Sequence, residues 1–123
     1  MRFLLSLLFI FGNVAYGHQF TPAYPRLEPS YMDGILVTRM ELFNSRDDVK
    51  YYELAVFDGD WNSVPFATAE KLVNVEYLKR KTIEIYIREK DRNKVVYICS
   101  KSKLEIYNLQ SSIISSRICS KIK

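Results

Sequence analysis

Apolar and polar residues alternate in short runs along most of this chain. Ile35–Phe43 places Leu36, Thr38, Met40 and Leu42 on one face, and Lys50–Asp58 does the same with Tyr52, Leu54 and Val56. Thr82–Arg88 is the most regular run, with Ile83, Ile85 and Ile87 on one side and Thr82, Glu84, Tyr86 and Arg88 on the other. A period of two, rich in β-branched and aromatic residues, predicts strands with one buried face. Leu72–Leu78 is a further predicted strand, with Val73, Val75 and Tyr77 in phase. Val95–Ser100 reads as a buried strand and Trp61–Phe66 as a short one. Ile113–Lys123 alternates more loosely, with Ile114, Ile118 and Ile122 sharing a face. Gln19–Ser30 carries three prolines, which exclude a helix and suit an edge strand or one that changes sheets.

Turn signals separate these runs at Met32-Asp33-Gly34, Asn44–Asp48, Gly59-Asp60, Lys79-Arg80-Lys81 and Asp91–Lys94. Ala67–Lys71 is long enough for one helical turn, and no stretch sustains a helical period. About seven strands with turns roughly every ten residues predict an all-β fold, an immunoglobulin-like antiparallel β-sandwich.

The first seventeen residues depart from that pattern. Arg2 precedes an apolar run from Phe3 to Phe11, and the small residues Ala15 and Gly17 stand two apart at the end. That is the layout of a secretory signal peptide with cleavage after Gly17. The apolar run falls short of the roughly 20 residues a membrane-spanning helix needs. Residues 1–17 are thus expected to be a cleaved leader and residues 18–123 a single periplasmic or secreted domain, with no stable membrane insertion.

Charge and cysteine content refine this picture. The formal net charge is +4, with both signs interspersed until the last stretch. There Lys101, Lys103, Arg117, Lys121 and Lys123 face Glu105 alone. Such a basic end suits an acidic partner, a terminal carboxylate or a membrane surface, or is a solvated edge. Cys99 and Cys119 are the two cysteines. In an oxidising compartment they are expected to bond, the other possibility being two free thiols. If Val95–Ser100 and Ile113–Lys123 form a hairpin, the two cysteines stand opposite each other at its base.

Catalytic and cofactor chemistry find little support. The chain has one histidine, His18, and its four glycines are scattered, so no phosphate-binding loop is present. Asp58, Asp60 and the Asp47-Asp48 pair lie in turns, where aspartate bonds the local backbone. Cleavage after Gly17 would place His18 at the amino terminus, where amine and imidazole together can chelate copper. Such a site normally needs a second histidine, which is absent. A non-enzymatic protein without cofactor or metal is therefore expected. Export and the lack of a basic–aromatic cluster argue against nucleic acid.

Tyr97-Ile98-Cys99 matches the Tyr-x-Cys of immunoglobulin sixth strands, yet Ile35–Phe43 has no cysteine to form the usual inter-sheet bridge. The order of elements over residues 23–123 instead resembles the amino-terminal immunoglobulin-like domain of periplasmic pilus (fimbrial) chaperones. The resemblance is greatest to the subclass with a disulfide-clamped loop between the sixth and seventh strands. Arg26 precedes an extended segment, Ile35–Asn44 ends in asparagine as the family's second strand often does, VVYICS is similar to the sixth strand, and SRICSKIK to the seventh. The resemblance implies a protein partner, such as a pilus or surface-structure subunit, bound by strand addition along the last strand. Ile114, Ile118 and Ile122 would be the inserted side chains. Arg26 with Lys121, or with Lys123, would hold the partner's terminal carboxylate. Ser116 and Ser120 interrupt that apolar face, and the family pattern has a second domain. Two readings of the isoleucines stand, as inserted side chains or as ordinary core. The alternative function is a structural or ligand-binding surface module with no chaperone role.

Overall fold

The computed structural model describes residues 17–103 and 115–123. The expected leader lies outside these residues apart from Gly17, and so does Ile114. Eight strands are present among the described residues: β1 (His18–Thr21), β2 (Glu28–Pro29), β3 (Ile35–Asn44), β4 (Tyr51–Phe57), β5 (Leu72–Asn74), β6 (Arg80–Arg88), β7 (Tyr97–Lys103) and β8 (Arg117–Lys121). Every pairing among them is antiparallel. One sheet has β3 at its centre, with β6 along one side and β1 and β2 at opposite ends of the other. The second runs β5-β4-β7-β8. The expected all-β, immunoglobulin-like sandwich is the observed fold.

The alternation in the sequence sets which faces meet. Leu36, Thr38, Met40 and Leu42 of β3 are buried beside Ile83, Ile85 and Ile87 of β6. The opposing sheet contributes Tyr52, Leu54 and Val56 of β4, Val73 of β5 and Ile98 of β7. Their side chains fill the space between the sheets, as in aligned sandwiches. The Pro-rich segment does change sheets. After β1 pairs with β3, Ala23 and Pro25 accept backbone hydrogen bonds from Lys121 and Lys123, and β2 then returns to β3.

Four predicted elements differ from the observed ones. Trp61–Phe66 is not a strand: Trp61 adopts φ 65 in a turn where its N–H donates to Asp58 O at 3.1 Å. Only isolated backbone pairing follows, at Phe57 with Ser63 and at Ala67 with Tyr86, so Ala67–Lys71 forms no helical turn. The strand predicted over Leu72–Leu78 stops at Asn74. Leu78 turns to φ 60, and Tyr77 faces solvent rather than the core. Val95 precedes β7 because Lys94 and Val95 N–H both donate to Asp91 O. The buried Asp91 carboxylate also accepts from Arg88 Nε at 2.7 Å, which holds its pKa below the usual range.

Asn44, fully buried at the end of β3, joins five segments. Its backbone N–H donates to Lys79 O and its carbonyl accepts from Leu78 N–H. Its Nδ2 donates to Val49 O at 2.7 Å and Val75 O at 2.9 Å. Its Oδ1 accepts from Arg46 N–H at 2.9 Å and from the Tyr52 hydroxyl. Buried polar groups left unpaired each cost about 1–3 kcal/mol. Asn44→Leu is therefore expected to destabilise the fold by more than about 3 kcal/mol, and Tyr52→Phe by about 1–2 kcal/mol; chemical denaturation measures both.

Cys99 and Cys119 stand directly opposite in the β7–β8 register and are bonded. The bond lies within one sheet, unlike the inter-sheet bridge of antibody domains. Reduction is expected to lower stability by about 3 kcal/mol through the freed loop, seen as a fall in the unfolding midpoint. An unchanged midpoint would show that the bond contributes nothing to the fold.

Candidate functional site: the open edge of the last strand

β8 forms one margin of its sheet. Its even-numbered residues turn their backbone toward β7. Ile122 N–H donates to Val96 O and Ser116 O accepts from Ser102 N–H, both at 2.8 Å. The odd-numbered residues turn theirs outward, where Lys121 N–H reaches Ala23 O and Lys123 N–H reaches Pro25 O, both at 3.0 Å. The Pro-rich segment thus covers only the end of β8. At Arg117 and Cys119 no described strand pairs on the outer side. Outward N–H and C=O groups of this kind are a template for an added strand. The disulfide fastens the middle of that stretch to β7.

The side chains of β8 divide by face. Ile118, with Ile122 just beyond it, is half-buried against the core. Ser120 between them is buried, and its hydroxyl has no hydrogen-bond partner among the described residues. Both isoleucines thus pack against the core at the margin of the sheet. Arg117 and Lys121 point to the outer face with Cys119.

Arg26, Lys123 and Arg92 line one open cleft of about 500 Å³ beneath this edge, with Leu27, Val95 and Ile122 among its walls. No aspartate or glutamate is among its lining residues. The backbone bond between Lys123 and Pro25 O brings residues 25 and 123 together there. Of the two lysines paired with Arg26 in the sequence reading, Lys123 stands beside it, and Lys121 is not among the lining residues. Arg92 was legible only as part of a turn, because nothing in its own segment tells that the β6–β7 connection returns beside residues 25–27. Three cationic side chains in a cleft without an acidic side chain are suited to a carboxylate, which guanidinium groups bind in a two-pronged fashion.

The other sequence candidates serve the fold. Asp58 Oδ1 accepts the N–H groups of Asp60 and Asn62, both at 2.9 Å, and Asp48 pairs with Arg46 at 2.7 Å. His18 is not placed for copper. Its ring is buried between the sheets, with Nδ1 3.1 Å from Ser116 Oγ and Nε2 2.9 Å from Ser100 Oγ. Among the described residues no three metal-ligating side chains gather. The ring also packs 4.6 Å from that of Tyr52. Burial lowers the His18 pKa to about 4, with the Arg46 charge acting in the same direction, and burial pushes the Tyr52 hydroxyl up to about 12.

The unfolded chain therefore binds a proton at His18 before the folded one does. Its stabilising effect is complete above pH ~6.5 and is lost as pH falls toward about 4. Denaturation at pH 7 and at pH 4.5 is expected to show a loss of about 2 kcal/mol that His18→Phe removes. An equal loss in both proteins would assign the pH dependence elsewhere.

No protein-family model and no curated protein matches the chain. Among solved structures, it is similar to the Escherichia coli chaperone DraB, with a TM-score of 0.64 at 15% identity. It is similar to the Salmonella enterica SafA pilin in complex with the SafB chaperone, with a TM-score of 0.64 at 12% identity. Both matches cover 87% of this chain and 53% of the other, so the chain spans about half the length of these neighbours. The ASH / PapD-like domain of human CEP192 matches with a TM-score of 0.51 at 6% identity, over 88% of this chain and 86% of that one. The fold of this chain is thus the PapD-like immunoglobulin sandwich found in pilus chaperones.

Proposed function

We propose that this protein is an exported, non-enzymatic, chaperone-like module that assists assembly of a surface or secreted structure. Residues 1–17 act as its leader and residues 18–123 as its working domain. An incomplete partner adds an extended strand along β8 and meets Ile114, Ile118 and Ile122. The partner's terminal carboxylate sits between Arg26 and Lys123, with Lys121 at the rim. The observation that carries this reading is the open backbone of β8 at Arg117 and Cys119, on a strand whose chain continues past Lys121 into the wall of the cationic cleft. The likeness of the fold to chaperone structures, one of them solved with a pilin, supports it.

Strand addition draws affinity from main-chain hydrogen bonds and specificity from alternate side chains. A charge-assisted bond to a buried carboxylate contributes about 1.5–3 kcal/mol. Arg26→Glu/Lys123→Glu should therefore weaken capture of the partner subunit by at least about tenfold, while leaving the unfolding midpoint unchanged. Co-purification of the subunit from exported fractions is the measurement. Undiminished capture by this variant would remove the carboxylate clamp.

A further inference from the structure

The outer face of the second sheet holds three rows of three residues, one each from β4, β7 and β8. The rows are Phe57, Tyr97 and Lys121; Ala55, Cys99 and Cys119; and Glu53, Lys101 and Arg117. Lys101 and Arg117 are directly opposite, both exposed and both cationic. Like charges facing each other across two strands are destabilising. The nearest carboxylate in the row, Glu53, is taken by Lys103 at 2.6 Å. Arg117 instead leans diagonally across the disulfide, its guanidinium carbon 5.0 Å from the Trp61 ring and 5.8 Å from that of Phe57. The Trp61 ring lies flat on Tyr97 at 4.2 Å. Lys101 has no ion pair among the described residues. Among the described residues, the open edge of β8 is therefore bordered on its outer side by two cations that no carboxylate pairs.

From this we infer that the strand received by β8 alternates apolar residues on its inner side with carboxylates on its outer side, opposite Arg117 and within reach of Lys101. The inference rests on the strand-addition reading above and adds the chemistry of the incoming strand. A residue of that strand directly opposite Arg117 lies about 5 Å away, close enough for its carboxylate to relieve the Lys101–Arg117 repulsion. The inner side meets Ile118 and the core margin. The same charges act against the wrong partner. A second copy pairing β8 to β8 would bring cations against cations, the device by which edge strands avoid pairing with themselves.

Three short fluorescent peptides test this, alternating valine with glutamate, with lysine or with threonine. A fourth has the glutamates in one block. Binding to the intact protein is read by anisotropy, and independently by the emission of Trp61, the chain's single tryptophan, which Arg117 contacts. The alternating glutamate peptide is expected to bind at least about tenfold tighter than the lysine peptide, to lose affinity with salt, and to outbind the block peptide. Lys101→Glu/Arg117→Glu should reverse the preference toward lysine. Equal binding of the three alternating peptides, or a preference of the native protein for lysine, would overturn the acidic partner and leave strand addition standing. Equal binding of the block peptide would reduce the effect to net charge and overturn the inference. Absence of binding by any alternating peptide would overturn both readings.

Discussion

The fold depends on one buried amide. Asn44 is the last residue of β3, and its polar groups together engage five pieces of chain. The Val49 and Val75 carbonyls, on the approach to β4 and just past β5, meet its side-chain nitrogen. The Tyr52 hydroxyl brings in β4 from the opposite sheet. The backbone of Asn44 fixes the turn into β6. A hydrophobic residue here would fit the burial but leave those groups unpaired, which in a low-dielectric interior costs more than the lost contacts alone. Asn44 therefore holds the two sheets at one end of the sandwich in a single relative position, which apolar packing would specify less sharply.

His18 extends that polar end toward the margin where β8 begins. Its ring links β1 to Ser100 in β7 and to Ser116 just before β8. Arg46 and Asp48 form a paired cation and anion close by. These contacts fix where β8 enters its sheet. The disulfide fixes its middle, and Ala23 and Pro25 fix its end. The edge strand is thus held at three points in addition to its backbone pairing with β7. This explains how a five-residue strand can remain open at Arg117 and Cys119 without fraying. Preorganisation of that kind lowers the ordering cost of receiving a partner.

Much of the core was legible in the sequence because it is local. Leu36, Thr38, Met40, Leu42, Tyr52, Leu54, Val56, Ile83, Ile85 and Ile87 all face inward as the alternation predicts. The failures have a common cause. Tyr77 keeps the period but faces solvent, because the β5–β6 connection is bent toward Asn44 by contacts distant in the chain. Trp61 has a strand-forming side chain but lies in a left-handed turn built on Asp58. In both places long-range or turn hydrogen bonds outweigh a short apolar pattern, since β preference is largely a statement about neighbours.

The sequence alone determined the all-β class, the alternating faces of the long strands and the basic character of the chain's end, and it left Cys99 and Cys119 as each other's one possible intramolecular partner. These follow from side-chain period, charge and the count of cysteines, which are properties of contiguous residues. Only the tertiary structure decided that Lys123 rather than Lys121 stands with Arg26, that Arg92 joins them, that Lys101 faces Arg117, and that His18 turns inward. Each of these is a meeting of residues far apart in the chain, set by strand register and sheet order. A shift of one residue in register would exchange inner for outer side chains along β8, and with them the apolar margin for the charged one.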